Sequence, residues 1–174
     1  MKLQVVLLVW LLCLIQTEFV QVSESRKNTG DAKSYNSLKK YIGKYPKQTK
    51  FFDEPLVKSE LKRILGKDYQ QYRQHVGFSG CGPFILKDNL LYADVSQLHV
   101  GGYSSLVFAD LKERRFFLFW LKGQVAAKEY QIYGDKPIPE PILGIIVEEM
   151  NQSWGHVAEF AIKDNTIAIG IRKP

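Results

Sequence analysis

Apolar residues between positions 57 and 76 recur at steps of three and four, which is the spacing of one face of a helix. These positions are Val57, Leu61, Ile64, Leu65, Tyr69, Tyr72 and Val76. Asp53 is a suitable N-cap, and Pro55 suits the first helical turn. Because Gly66 interrupts the pattern, we predict a bend there or two helices in tandem, with Asp68 capping the second.

The pattern then changes to short runs typical of strands. Three glycines and a proline in residues 77–84 predict a turn region without regular structure. Strands are predicted at residues 89–95, 104–109, 116–122 and 128–133. The third, FFLFWLK, is apolar on both faces, which is typical of a central strand. The charged stretch DLKERR at 110–115 predicts a hairpin turn before it.

The C-terminal part predicts one more helix and a hairpin. Pro141 is well placed to open a helix that continues to about Gln152. Residues 156–163 and 166–172 alternate in polarity on either side of Asp164-Asn165, which predicts a β-hairpin. This order of elements predicts an α+β fold. Its mainly antiparallel sheet, a meander plus the C-terminal hairpin, packs with the N-terminal helices and one further helix.

The N-terminus has the form of an export signal. Lys2 precedes an apolar run at residues 5–15, which is shorter than the ~20 residues of a membrane-spanning helix. We expect residues 1–25 to be a signal peptide and the protein to be exported, periplasmic or secreted. An uncleaved N-terminal anchor is the alternative, and membrane contact is expected only through this segment. Polar residues 26–50 predict a loosely attached extension, followed by a single domain at 51–174.

Composition narrows the classes of partner. The chain is 45% hydrophobic, as in folded globular proteins, and carries 24 Lys and Arg against 18 Asp and Glu, a net charge of +6. This excess favours lipid headgroups, polysaccharide or an acidic protein as partner, and it is too dispersed to indicate nucleic acid. The densest basic segment, residues 39–47, is interpreted as a solvated amphipathic helix and linker.

Catalytic and metal-binding patterns are weak. His75, His99 and His156 are scattered and lack metal-ligand spacing, and no phosphate loop or dinucleotide motif is present, so no cofactor is expected. Cys81 and His99 could form a nucleophile and base. However, a strand is predicted after Cys81 instead of a helix whose dipole would lower the thiol pKa. A non-enzymatic protein is therefore favoured, with a Cys81/His99 hydrolase as an alternative. Adjacent Glu148 and Glu149 point in different directions on a helix and predict a solvated face.

The remaining candidate is the stretch SQLHVGGYSS at residues 96–105, between two predicted strands. Gly101 and Gly102 provide the backbone freedom for a tight reversal. His99 would lie at the tip, where an imidazole can both donate and accept hydrogen bonds. The residues alone leave two readings open: a plain hairpin with an exposed histidine, or a loop that presents the histidine to a partner.

This loop resembles the signature of the Ivy family, periplasmic inhibitors of C-type lysozyme, which reads C-x-x-H-x-C-G. His99 and Gly102 match it, while Ser96 and Gly101 stand where the family has cysteines. The flanks are similar too: ILGKDYQQYRQHV at 64–76 to the family's helix, and SSLVFADLKERRFFLFWL at 104–121 to its strand, turn and strand. The resemblance covers about residues 52–121.

The resemblance implies a function for the loop. In the family the loop enters the lysozyme cleft, the histidine hydrogen-bonds the catalytic carboxylates, and the inhibitor is commonly a dimer. By resemblance, this chain is expected to inhibit a lysozyme or related cell-wall hydrolase and to form a homodimer. The inhibitory loop would comprise Ser96, Leu98, His99, Val100, Gly101 and Gly102. A non-catalytic envelope protein that binds an anionic surface is the alternative.

Overall fold

The computed structural model describes residues 34–77, 79–97, 104–123 and 130–172. Helices are α1 Pro55–Leu65, α2 Tyr69–Gly77 and α3 Glu140–Trp154, with short 3-10 turns at Leu38–Tyr41, Pro46–Gln48, Phe51–Asp53 and Gly66–Asp68. Strands are β1 Ser79–Cys81, β2 Ile85–Lys87, β3 Leu90–Gln97, β4 Ser104–Asp110, β5 Arg115–Leu121, β6 Tyr130–Gly134, β7 Ala158–Lys163 and β8 Thr166–Ile171. The α+β fold with a mainly antiparallel sheet is confirmed. Within these ranges no helix is both long and apolar enough to span a bilayer.

The main sheet has six strands in the order β1-β3-β4-β5-β6, with β2 paired beside β1 on the same edge of β3. All of these pairs are antiparallel. Strands β4 and β5 lie in the middle and are buried on both faces. The central position predicted for FFLFWLK is confirmed, because a strand with neighbours on both sides and layers above and below needs apolar residues on each face.

Two hydrophobic cores cover the two faces of the sheet. On one face, α1, α2 and the segment before them pack on a row that includes Val95, Val107 and Trp120. On the other, α3 and the β7–β8 hairpin pack on a row that includes Leu106 and Phe119. Successive side chains of a strand point to opposite faces, so each central strand contributes to both cores.

The interrupted helix follows its sequence pattern. Gly66 adopts φ +53° and its N–H donates to the Lys62 carbonyl, which ends α1, and α2 begins three residues later. The predicted pair of tandem helices is confirmed. The N-cap prediction is wrong, since Glu54 precedes Pro55 and makes no capping hydrogen bond. Asp53 instead forms an ion pair with Arg73 of α2, with Oδ1 2.8 Å from Nη2.

The start of the domain differs from the predicted boundary at residue 51. Residues from Ser34 onward belong to one compact unit. Tyr35, Leu38 and Tyr41 are buried in the core of the α1–α2 face, and the Tyr41 ring lies 5.2 Å from that of Phe51. Apolar side chains spaced by three along a mostly polar segment are enough to bind it to the core. The predicted signal peptide and residues 26–33 lie outside the described residues.

The glycine-rich segment also departs from its prediction. Residues 79–81 form β1, in register with β3 through Ser79↔Gln97 and Cys81↔Val95. The prediction of no regular structure is therefore wrong there, because backbone pairing with a neighbouring strand overrides local propensity. The C-terminal hairpin is confirmed, and its turn residues Asp164 and Asn165 have φ of 50° and 55°. Asparagine and aspartate tolerate this left-handed conformation better than most residues.

Candidate functional site

Strands β3 and β4 form a hairpin whose tip contains the predicted binding loop. Their antiparallel register runs from Leu90↔Asp110 to Ser96↔Ser104, with the last pair next to the tip. Leu98, His99, Val100, Gly101 and Gly102 lie outside the described residues, whereas Ser96 is described. The two antiparallel strands predicted on either side of this stretch are thus present, and they define the base of the hairpin.

On the α3 face, three polar side chains form the base of the hairpin. The Ser96 hydroxyl donates to the Asp94 carboxylate, with Oγ 3.0 Å from both oxygens, and Ser104 Oγ donates to Oδ1 at 3.3 Å. The two serine hydroxyls are 3.3 Å apart. Burial raises the pKa of Asp94, and the serine hydrogen bonds oppose that rise by favouring the ionised form.

The opposite face is fixed by residues of α2. Ser105 Oγ donates to the Val95 carbonyl oxygen at 3.0 Å, and His75 Nε2 lies 3.2 Å from the same oxygen. Tyr72 Oη is 3.2 Å from Ser105 Oγ, and the rings of Tyr72 and His75 stack at 5.7 Å. His75 is only 5% exposed. Val95 and Ser105 face each other across the hairpin, so α2 holds the pair directly before the last one.

A second carboxyl group joins Asp94 from helix α3. Burial raises the pKa of Glu149, and the neighbouring charges of Asp94 and Glu148 raise it further. Burial raises the pKa of Tyr92, as do both glutamates, while the Tyr92 hydrogen bond favours ionised Glu149. Glu148 is exposed and forms an ion pair with Lys87 at 3.6 Å. The two glutamates therefore diverge as predicted, but Glu149 is half-buried and does not lie on a solvated face.

Sequence reasoning did not anticipate that the charge of Asp94 acts on the Glu149 carboxyl group and raises its pKa. Asp94 lies two residues from both Tyr92 and Ser96, and residues at this spacing share one face of a strand. The face on which Asp94 lies could therefore have been predicted from the sequence. The approach of Glu149 could not, because the two residues are far apart in the chain and meet only through the packing of α3 on the sheet.

The Cys81/His99 hydrolase remains untested, since neither side chain lies within the described part of the chain. The surrounding backbone can be compared with the prediction. Cys81 ends strand β1, and the next elements are β2 and β3, so no helix begins at the thiol. A helix N-terminus is one common means of lowering a thiol pKa, and it is not present at this position.

No cluster of three or more His, Cys, Asp or Glu side chains that could hold a metal ion occurs among the residues described. Comparisons with protein-family models, curated proteins and solved structures gave no match to this chain. The likeness to the Ivy family therefore rests on the sequence motifs alone.

Proposed function

We propose that this protein is a binding protein that inhibits a lysozyme or related cell-wall hydrolase. The β3–β4 tip would enter the active-site cleft, and His99 would hydrogen-bond the catalytic carboxylates. The observation that carries the proposal is the Ser96↔Ser104 register, because it makes the motif-bearing residues 98–103 the connection of an antiparallel hairpin. Localisation outside the cytoplasm is part of the proposal and rests on the N-terminal sequence pattern.

The polar base supports this role because it orders both strand ends without a disulfide. In the family the two cysteines flank the histidine, and a preordered loop loses less conformational entropy on binding. Here Ser96 stands at the first cysteine position and is hydrogen-bonded to Asp94. On the other face, Tyr72 and Ser105 supply a second set of contacts. We expect these networks to provide part of the rigidity that the disulfide gives elsewhere.

Charge determines how fast the proposed complex would form. C-type lysozymes are basic, and this chain carries +6, so the two molecules as a whole repel each other. Asp94 and Glu149 place two carboxyl groups beside the hairpin base. Ion pairs at Glu54, Asp53 and Asp68 lie elsewhere, so negative charge is not confined to the hairpin. We therefore expect net repulsion to slow association, and affinity to depend on slow dissociation of the seated loop.

The test is inhibition of a C-type lysozyme by the wild-type protein beside two histidine variants. His99→Ala removes the proposed contact, and the loss of a hydrogen bond to charged groups predicts inhibition weaker by roughly 10- to 100-fold. His156→Ala is the matched control, because His156 is an exposed histidine after helix α3. It should inhibit like the wild type. Absence of inhibition by the wild type at micromolar concentration, or equal inhibition by His99→Ala, contradicts the proposal.

A further inference from the structure

Four large apolar side chains are exposed on two adjoining segments. Ile42, Tyr45 and Ile85 are each 43% exposed and Leu86 is 37% exposed. Gly43 N–H donates to the Phe84 carbonyl, and Phe84 N–H donates to the Lys44 carbonyl, both at 2.9 Å. These bonds hold residues 42–45 against the start of β2. The exposed side chains are therefore carried by backbone segments that are hydrogen-bonded to each other.

Buried aromatic rings support this surface from below. Tyr41 and Phe84 flank the exposed positions in sequence, and both rings are buried in the α1–α2 core. The Phe84 ring lies 4.3 Å from that of Phe51, and Tyr41 Oη donates to Glu54 at 2.6 Å. Tyr41 and Phe84 are thus anchored in the core, and the backbone next to Ile42 and Ile85 is held by them.

Lysines are frequent in the sequence around Ile42 and Tyr45. Residues 39–50 contain five lysines and no acidic residue. The first two carboxylates that follow in the sequence form ion pairs, Glu54 with Lys40 at 2.9 Å and Asp53 with Arg73 at 2.8 Å. The other four lysines are exposed and form no ion pair within the described ranges. Ile85 and Leu86 are consecutive residues of β2 and point to opposite faces of the sheet, so they are not counted together with the first segment. We call these four lysines together with Ile42 and Tyr45 the basic patch: Lys39, Lys44, Lys47, Lys50, Ile42 and Tyr45.

We propose that the basic patch binds the surface of an anionic lipid bilayer. Lysines near such a surface are attracted by its negative potential, and tyrosine with aliphatic side chains is favoured at the boundary between headgroups and acyl chains. A soluble polyanion would engage the lysines but offers no apolar layer for Ile42 and Tyr45. An acidic protein would need an apolar area of its own to match them. The bilayer supplies both kinds of contact in one surface.

This inference changes the interpretation of residues 39–47 and does not make use of His99. The sequence pattern favoured a solvated helix and linker, whereas the structure has two short 3-10 turns with Tyr41 and Pro46 buried and Ile42 and Tyr45 exposed. The patch lies on a different part of the chain from His99. Vesicle binding should therefore be the same in His99→Ala, and its result does not depend on lysozyme inhibition.

The test is co-sedimentation of the full chain with vesicles of phosphatidylcholine, alone or mixed with phosphatidylglycerol. We expect tighter binding to the mixed vesicles. Changing Lys39, Lys44, Lys47 and Lys50 to Gln should weaken it by about fivefold per lysine. The double variant Ile42→Ser/Tyr45→Ser should weaken it by about tenfold or more. Residues 5–15 are present in every variant, so their contribution is common to all of them.

Matched controls change equal charge and apolar area elsewhere. Gln at Lys58, Lys67, Lys136 and Lys163 removes the same net charge from other exposed positions, and Ile162→Ser/Ile171→Ser removes exposed apolar side chains from the C-terminal hairpin. Both should bind almost like the wild type. Thermal melting checks that each variant folds.

Three results would overturn the proposal. The first is equal binding to the two kinds of vesicle. The second is an equal loss in the patch and control variants, which would mean that only net charge matters. The third is binding to soluble polyphosphate that matches vesicle binding and is insensitive to Ile42→Ser/Tyr45→Ser, which would identify the ligand as a polyanion instead of a bilayer.

Discussion

Ser96 Oγ lies 3.0 Å from both carboxylate oxygens of Asp94, directly before the β3–β4 tip. Ser96 and Asp94 lie on the same face of β3, and the serine hydroxyl donates its hydrogen bond to the ionisable carboxyl group. Ser104 completes the arrangement from the neighbouring strand. The base of the candidate binding loop is therefore polar and partly buried. The strength of its hydrogen bonds depends on whether the Asp94 carboxyl group is ionised.

Removing the serine hydroxyl should change the titration of Asp94. In Ser96→Ala the carboxylate loses a hydrogen bond that favours its ionised form, so the Asp94 pKa should rise further above its ordinary value. Stability at neutral pH should fall by about 1 kcal/mol. The measurements are an NMR titration of the carboxyl carbon and denaturant unfolding. Ser59→Ala, at an exposed position of α1, is the control and should leave the Asp94 titration unchanged.

The two carboxyl groups should make stability fall with rising pH. Because burial raises the folded-state pKa of Asp94 and Glu149, the folded chain binds more protons than the unfolded chain above about pH 4. Their contribution is therefore most favourable in acid and is lost as pH rises through the folded values. Glu149→Gln should reduce this fall and raise the melting temperature at pH 7. Melting curves from pH 4 to 7 test it.

The control for this prediction is Glu159→Gln, which removes the same charge from an exposed position of β7. Its melting temperature should follow the pH profile of the wild type. A Glu149→Gln variant whose profile is also parallel to that of the wild type would show that Glu149 has no raised pKa in the folded state.

Gly134 should resist substitution. Its φ of +140° is unfavourable for any residue with a Cβ, and a Cβ there would overlap the ring of its strand partner Phe117. Gly134→Ala should destabilise the fold by about 2 kcal/mol or more. Gly144→Ala is the control, because a Cβ there meets no atom within 4 Å and helix α3 favours alanine. Denaturant unfolding should show a loss in the first variant and no loss in the second.

The position of the domain boundary can be tested at Leu38. This side chain is 0% exposed in the core of the α1–α2 face. Leu38→Ala should cost about 2–5 kcal/mol of unfolding free energy, because it leaves a cavity in that core. Ile42→Ala, at a position that is 43% exposed, should cost far less. Equal and small losses in both variants would mean that residues 34–50 are a loosely attached extension after all.

Local signals predicted the elements that obey a simple period or a specific backbone need. The apolar spacing from Val57 to Val76 predicted α1 and α2, and Gly66 predicted the break because its φ of +53° suits glycine best. Asp164-Asn165 predicted a turn because these residues tolerate positive φ. In each case neighbouring residues alone determine the outcome.

Local signals did not predict the structure of segments whose contacts are with residues outside their own stretch of sequence. Residues 79–81 lie within the glycine-rich segment 77–84 and form a strand only because they pair with the edge of β3. Tyr35, Leu38 and Tyr41 are buried because they pack in the same core as the helices α1 and α2 and one face of the sheet. Glu149 approaches Asp94 only through the packing of α3, and no spacing within the chain records that approach.

The sequence by itself determined the fold class, the tandem helices, the central strand β5 and the two antiparallel strands that flank residues 98–103. These follow from periodicity and turn chemistry, which act over a few residues. Tertiary structure alone decided how the base of the hairpin is held, which carboxyl groups share it, and that Ile42 and Tyr45 are exposed while Tyr41 is buried. Those outcomes depend on which side of a segment meets the core, and distant residues supply that core.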